Sequence, residues 1–353
     1  MLKILDFIRA NSDWEQRIQE KPYLIGCKRT DGYIILKYKR DADFSIEMVR
    51  ECRGLILDET DDYKPVCVPF FKFANYGEPT ADIIDWQTAK VQEKLDGSLI
   101  KLWHHRGRWN VSTNNTIYAH NATVHDGSIT FMDLFNETWQ LSYYSRLNSG
   151  NCYMFELVSP KNQVVVSYKE TALYHLGTRD MSTFTELDED IGIQKPKLYP
   201  LATIENCLEA ASALSQDQEG FIVVDSQWRR IKIKSPLYVA LHNMAHNGVM
   251  TQKRVLEIII AGEVAEVLAY FPHHEPAFAE VRDRLESFIA GIEEALENIR
   301  GTHYPTRKDM AADVIKTPCP GCIFAVLDGA CKTVREFVMA MPMKSLEKYL
   351  KIQ

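Results

Sequence analysis

The chain has 353 residues, of which 46% are hydrophobic and 25% charged, a balance that suits a folded protein of about two domains and excludes long disorder or collagen-like sequence. A net charge of −7 excludes a broad basic coat, so any contact with a polyanion has to be local. The eight cysteines are scattered rather than packed into a short secreted scaffold, which reads as reduced thiols. MLKILDFIRANSDWE carries charges too early for a signal-peptide core and no run nears ~20 apolar residues, so a cytoplasmic protein without a membrane span is expected.

From about residue 23 to 235, short β-like runs alternate with turn residues: YIILKYK from Tyr33, GLILDE from Gly54, SLIKLWHH from Ser98, RWNVST from Arg108, QVVVSY from Gln163 and EGFIVVD from Glu219. A helix is predicted near Ser45 to Cys52 with Ser45 as its N-cap, which sets Arg53 at a helix-to-strand corner. After Ser235-Pro236 the period becomes helical in LYVALHNMAHNG, KRVLEIIIAGEVAEVLAYF and PAFAEVRDRLESFIAGIEEALENIR. The expected class is α+β, with a strand-rich domain over residues 1–240 and an all-helical domain over 241–353.

Several features read as ordinary structure. Cys319-Pro-Gly-Cys322 has a metal-like spacing, but a second pair is lacking and Cys331 is a poor substitute, so a turn with incidental cysteines is expected. His242 and His246 have zincin spacing, yet Asn243 stands where that motif needs its Glu. The neighbours His104-His105 and His273-His274 would point to opposite faces of a strand and not share a metal. The basic clusters Lys37, Lys39, Arg40 and Arg229, Arg230, Lys232, Lys234 each read, taken alone, as a solvated strand face.

The chemistry concentrates around Lys94-Leu95-Asp96-Gly97, which lies between VQE and the apolar run SLIKLW, with Lys94 placed at the start of a strand and a tight Gly turn behind it. Such a tetrapeptide is common in turns; its ordered company makes it informative. Phe155-Glu156-Leu157, Glu219-Gly220-Phe221-Ile222 and Lys232-Ile233-Lys234 follow. In the last, a period of two puts both lysines on one face, where two ammonium groups are costly unless an anion such as a triphosphate sits between them.

KLDG, MFEL, EGFIV and IKIK, in this order, resemble motifs I, III, IV and V of the covalent nucleotidyltransferases, the ligases and capping enzymes. ECRGLILD, FFKFANYGE and FELVSPKN are similar to the phage RNA ligase 1 family, and the likeness covers roughly residues 30 to 240. The resemblance implies a nucleotidyltransferase domain built on antiparallel sheets. A helical domain follows it in place of the oligonucleotide-binding barrel of DNA ligases, for which the strand-poor stretch after 240 leaves little material.

By that likeness the chain is an ATP-dependent RNA ligase acting through lysyl-AMP and RNA-adenylate, in RNA or tRNA repair. ATP and Mg²⁺, with Mn²⁺ as substitute, are the implied cofactors. The implied partner is RNA with 5′-phosphate and 3′-hydroxyl ends, single-stranded or a tRNA loop; no membrane and no obligate protein partner is implied. Lys94 is the nucleophile, Glu219 holds the metal, and Glu156 organises ribose or metal. Arg53 and Lys72 reach phosphates, Lys232 and Lys234 take the triphosphate, and Glu93, Asp96 and Gly97 complete the nucleotide site. Leu176 and Ile222 wall the adenine, the alternative for both being plain core. A free lysine titrates near ~10.4, so about one in a few thousand is neutral at pH 7; Lys232, Lys234 and a metal are expected to help Lys94 lose its proton.

Two departures stand out: STNNT at Ser112 to Thr116 lacks the usual basic residue, and Gln163 replaces an Arg. The competing readings are a DNA ligase or capping guanylyltransferase, which the missing barrel disfavours, and a catalytically silent RNA-binding protein on a ligase scaffold.

Overall fold

A computed structural model of the chain describes residues 2–124, 127–215, 217–236, 238–239, 250–270 and 272–352, with the backbone alone at 266, 269 and 270. The chain divides into two compact units, Met1–His242 and Asn243–Gln353.

In the first unit the alternating runs become strands of three main antiparallel sheets. The first has the order β1-β2-β3-β4: Ile25–Thr30, Tyr33–Tyr38, Arg53–Asp58 and Lys64–Cys67. Ile34, Leu36, Leu55 and Leu57 pack on one side against Ile4, Leu5 and Ile8 of helix α1 (Lys3–Ala10) and Trp14 and Ile18 of α2 (Trp14–Ile18). Ile35, Ile56 and Cys67 pack on the other side against Trp103, Cys152 and Met154. Burial on both faces is why YIIL is continuously apolar instead of alternating.

The second sheet runs β12-β11-β10-β6-β7, built from Glu186–Leu187, Ala172–Asp180, Asn151–Val158, Ser98–His105 and Arg108–Thr113. Ile100, Leu102, Tyr153, Phe155 and Leu157 on one face meet Leu134 and Phe135 of α4 (Phe131–Thr138), which follows the small hairpin β8-β9 (Thr123–Val124, Ile129–Thr130). The other face is divided: Trp103, Cys152 and Met154 lie on the first sheet, while Leu99, Glu156 and Leu176 open onto a cavity. Across that cavity stands the third sheet, β13-β5-β14-β15 (Leu198–Tyr199, Lys90–Lys94, Gly220–Val224, Arg230–Lys234). Its residues Val91, Phe221, Val223, Ile231 and Ile233 bury against Cys207 and Ala211 of α5 (Ile204–Ser212). The period of two therefore sends Ile222, Lys232 and Lys234 to the cavity side.

The structure corrects three local expectations. The helix at 45–52 is shorter: α3 spans Glu47–Glu51 with Ile46 at its N-cap, because the Ser45 amide and hydroxyl are engaged by Asp43 Oδ1 at 2.9 and 2.6 Å. Lys94 ends β5 instead of starting β6. QVVVSY is not a strand, since the amides of Val165 and Val166 donate to Asp96 Oδ2 at 2.8 and 2.7 Å and are not free for a ladder.

The second unit is helical, with no strand among the described residues: α6 Gln252–Ile260, α7 Val264–Tyr270, α8 Glu275–Gly301, α9 Arg307–Val314, α10 Pro320–Leu327, α11 Val334–Met339 and α12 Met343–Leu350. Phe278, Val281, Leu285, Ile289, Ile292, Leu296 and Ile299 form the buried stripe of α8, at the spacing of three and four that the sequence shows. Thr251, Thr306 and Thr333 cap α6, α9 and α11 through their side chains. Cys319 sits at the N-cap of α10 and Cys322 within it, both buried, so the expected turn is a helix start. His273 and His274 lie on a short 3₁₀ turn, not a strand. Most of LYVALHNMAHNG, including His242 and His246, lies outside the described residues. Among the described residues no helix is long and apolar enough to cross a membrane.

Helix α1 lacks a side-chain cap of its own; the buried Glu51 of α3 supplies it, accepting from the amides of Lys3 and Ile4 at 2.9 Å each. Glu51→Ala is expected to lower unfolding free energy by about 1–3 kcal/mol in urea titration, since two amides lose their acceptor in a closed environment. An unchanged denaturation midpoint would show that α1 is held by its apolar face alone.

Candidate active site

The cavity between the second and third sheets has a volume of about 700 Å³. Strand register decides which side chains share it. Lys94 pairs with Gly220 and Gly220 with Lys234, while Gln92 pairs with Ile222 and Ile222 with Lys232. Directly paired residues share a sheet face, so two adjacent rows, Lys94-Gly220-Lys234 and Gln92-Ile222-Lys232, line the same wall. Gly220 has φ +148°, and a Cβ there would lie 2.1 Å from the Ile233 carbonyl oxygen; only glycine can separate the two lysines.

The opposite wall carries Glu156 on β10 and Leu176 on β11. The ladder slips between Met154 and Phe155, pairing Gly177 with Met154 and His175 with Phe155, so Leu176 is the extra residue of a bulge and turns into the cavity. The turn from β5 to β6 presses against β10: a Cβ on Gly97 would lie 2.5 Å from the Leu157 carbonyl oxygen, and the Gly97 amide donates to Glu156 Oε1 at 3.1 Å.

Charge is concentrated on this floor. Lys94 Nζ is ion-paired with Glu219 Oε2, their side chains being 18% and 5% exposed. Burial pushes the Glu156 carboxyl up to about 7, against the opposing pull of Lys94. Lys232 is driven well below the ordinary lysine range, first by burial and then by the positive charges of Arg53, Lys72, Lys94 and Lys234. Its neighbour Phe73 takes Arg53 Cζ at 5.2 Å and Lys232 Nζ at 5.0 Å from its ring centroid. The segment bearing Phe73 is tied to β15 by Lys232 N to Ala74 O at 3.0 Å and Tyr76 N to Lys232 O at 2.7 Å.

Of the residues named from sequence, Arg53, Glu93, Lys94, Gly97, Glu156, Leu176, Glu219, Ile222, Lys232 and Lys234 line this one cavity. Two do not. Lys72 sits in a smaller neighbouring cavity, with Nζ 4.6 Å from the Phe44 ring centroid and 3.9 Å from Glu78 Oε2. Asp96 is buried and its carboxylate is engaged within the protein: Oδ2 accepts from Val165 and Val166, and Oδ1 from the Tyr238 hydroxyl at 3.1 Å. The second basic cluster also divides. Arg229 pairs with Asp225 at 2.7 Å, and the buried Arg230 grips both oxygens of Glu186 at 2.9 and 2.5 Å, so neither is a merely solvated face.

Sequence reasoning missed Gln92 and Phe73 as cavity residues, Tyr238 as the partner of Asp96, and Lys101. Lys101 is fully buried and lowered by that burial; its Nζ donates to the Gly54 carbonyl at 2.5 Å, beside Arg53. Only the odd lysine in SLIKLW hints at it. The STNNT loop lines the cavity as a side-chain-stabilised turn, with Thr113 Oγ1 accepting from the Asn115 and Thr116 amides at 3.1 Å each. Lys37 reaches it from β2, Nζ donating to Asn115 Oδ1 at 2.5 Å, so a cation stands beside the loop that has none of its own. Gln163 donates to its neighbour Val165 O at 3.1 Å in an exposed position.

For a divalent cation the cavity offers the carboxylates of Glu93, Glu156 and Glu219. Among the described residues no group of three or more His, Cys, Asp or Glu forms a metal site, so a cation bound here would draw its remaining ligands from phosphate oxygens and water, as Mg²⁺ commonly does.

Residues 51–238 match the family model described as RNA ligase. The chain is 30% identical over 274 residues to a candidate bifunctional polynucleotide kinase/RNA ligase of Autographa californica nuclear polyhedrosis virus, covering 71% of this chain but 39% of that protein. It is 25% identical, over 405 aligned positions, to an RNA ligase of Rhodothermus phage RM378, covering 92% of each. Among solved structures it is similar to an archaeal ATP-dependent RNA ligase, with a TM-score of 0.49 and 15% identity over 81% of this chain and 82% of that one. The matched segment holds Arg53, Lys94, Glu156, Glu219, Lys232 and Lys234, and the chain belongs to the RNA ligase family, that of phage RNA ligase 1.

Proposed function

We propose that the chain is an ATP-dependent RNA ligase that adenylylates itself on Lys94 and then joins 5′-phosphate to 3′-hydroxyl RNA ends. The observation that carries this reading is the row Lys94-Gly220-Lys234 beside Lys232, in a cavity large enough for a nucleotide where the charges of Arg53, Lys94 and Lys234 tip the local balance against the Lys232 ammonium. A triphosphate lying along Lys232, Lys234 and Arg53 restores that balance and brings its α-phosphorus to Lys94 Nζ.

To attack, Nζ must give up a proton, and Glu219, to which it already donates, is the carboxylate in contact with it. The new P–N bond forms as the bond to pyrophosphate breaks. AMP then passes to an RNA 5′-phosphate, and the 3′-hydroxyl displaces it; each step is an in-line attack on phosphorus, served by positioning and charge neutralisation. Glu219 and Glu156 would hold Mg²⁺, or Mn²⁺ in its place, which supplies further neutralisation of phosphoryl charge. Leu176 and Ile222, which line the cavity from the two sheets, wall the base. Residues 1–240 serve adenylylation and the helical residues 241–353 serve RNA choice, a division supported by the clustering of all site residues in the first unit.

With α-labelled ATP and Mg²⁺, the protein is expected to carry AMP through denaturing electrophoresis, with no label from GTP. Lys94→Ala should abolish the label, and Lys232→Ala and Lys234→Ala should each slow labelling by about 100-fold, the worth of one lost charge-assisted phosphate contact in a closed site. Equal labelling of Lys94→Ala would end the lysyl-adenylate reading.

Glu156 gives a pH-dependent outcome. Its carboxyl lies at about 7 against an ordinary 4.5, so the folded state retains a proton that the unfolded chain has lost between those values. Stability therefore falls as pH rises through that window, and the cost is fully present above about 7. Glu156→Gln is expected to match the wild type near pH 4.5 and to exceed it by on the order of 1–3 kcal/mol at pH 8, while losing self-adenylylation. Parallel stability profiles from pH 4.5 to 8 would contradict this.

A third expectation concerns RNA. A chain truncated after His242, which keeps Tyr238 and its bond to Asp96, should still take AMP but lose RNA joining. The full chain should circularise 5′-phosphorylated single-stranded RNA faster than it seals nicked duplex DNA, with a shallow salt dependence reporting few phosphate contacts. Faster DNA sealing at equal enzyme and salt would favour a DNA ligase.

A further inference from the structure

Next to the nucleotide cavity lies a second one of about 180 Å³, which shares Phe73 and Arg230 with it. Arg50, three residues before Arg53, lines this smaller space and is partly buried. Its guanidinium has no hydrogen bond or ion pair among the described residues, and its Nε is closed off from solvent without a partner. The other charges here are engaged. Arg230 is bound to Glu186, Arg229 to Asp225, and Asp82 accepts from the Arg230 amide at 3.1 Å, while Glu47 is exposed and forms no ion pair with Arg50. Lys72 stands beside Arg50, its amide donating to the Arg50 carbonyl at 2.9 Å, and its charge is felt by Lys232 in the main cavity.

A guanidinium with an unmatched buried N–H is costly in the empty protein, and a pair of phosphate oxygens fits its fork. Space for a phosphate group but not for a nucleoside, next to a triphosphate site, narrows the ligand. We propose that Arg50, with Lys72 at its side, forms a separate phosphate-binding subsite, filled either by a phosphate of the RNA strand or by the terminal phosphate of ATP. The proposal rests on the RNA ligase reading for those two sources, but the phosphate chemistry itself follows from the arginine.

The test compares the full-length wild type with Arg50→Gln and Arg50→Lys by thermal melting, by calorimetric titration with inorganic pyrophosphate, and by the KM for ATP in self-adenylylation and for pre-adenylylated RNA in sealing. Arg50→Gln is expected to melt at or above the wild-type midpoint, because no protein partner is lost. It should also weaken at least one of the three binding readouts by about 10-fold or more, with Arg50→Lys intermediate. A change confined to the RNA KM assigns the subsite to RNA; a change in pyrophosphate affinity or ATP KM assigns it to ATP. If all three readouts stay within twofold, or if they fall together with the melting midpoint, the subsite is overturned. If the wild type fails to self-adenylylate while Arg50→Gln still loses pyrophosphate affinity, the ligase reading fails and the subsite stands.

Discussion

The site is organised by positive charge crowded around one buried lysine. Lys232 shows the strain most clearly, since burial and four neighbouring cations all disfavour its ammonium form. Such a cluster survives only if the backbone holds it, and it does: β14 lies between β5 and β15, and the ladder fixes Lys94 and Lys234 on either side of Gly220. Partial relief comes from the Phe73 ring and from Glu219 against Lys94. A net charge of −7 over the whole chain is compatible with this, because the field a phosphate meets is set by the groups within a Debye length of about 10 Å and not by the total.

A second constraint keeps Lys94 in place. Asp96 receives two amides from residues 165 and 166 and the hydroxyl of Tyr238, while its own amide donates to the Tyr168 hydroxyl at 3.0 Å. Three stretches of chain are thus joined at the residue two positions beyond Lys94. An aspartate that accepts from three donors in a closed environment ties distant stretches of chain together.

How far these features could be read in the sequence depends on their range. The pairing of Lys232 with Lys234 on one face, the strands at 33, 98, 108 and 220, and the stripe of α8 are local periodicities, and local periodicity survives in one dimension. The motif residues that gather around Lys94 were legible because their order along the chain carries them. What escaped depends on contacts between distant residues. The partners of Asp96 lie 69 to 142 positions away, so nothing in KLDG announces them. QVVVSY has the composition of a strand and is pulled out of any ladder by that same carboxylate. For Lys72 the aromatic surround predicts shelter but not which side of Phe73 gives it, and it lines the smaller cavity.

The N-terminal sheet also bears on the chemistry, because its strand β3 carries Arg53 to the cavity. Glu51 fixes α3 against the first turn of α1, and two residues later Arg53 leaves α3 for β3, where Lys101 grips the Gly54 carbonyl from the second sheet. Arg53 is therefore clamped on both sides, by a helix cap before it and a buried ammonium after it. A guanidinium so placed needs little reorganisation to meet a phosphate, and preorganisation of this kind is where a charged group gains most over water. Arg50 lies on that short helix and Arg53 opens the strand after it, so one cap bears on both arginines, which line neighbouring cavities.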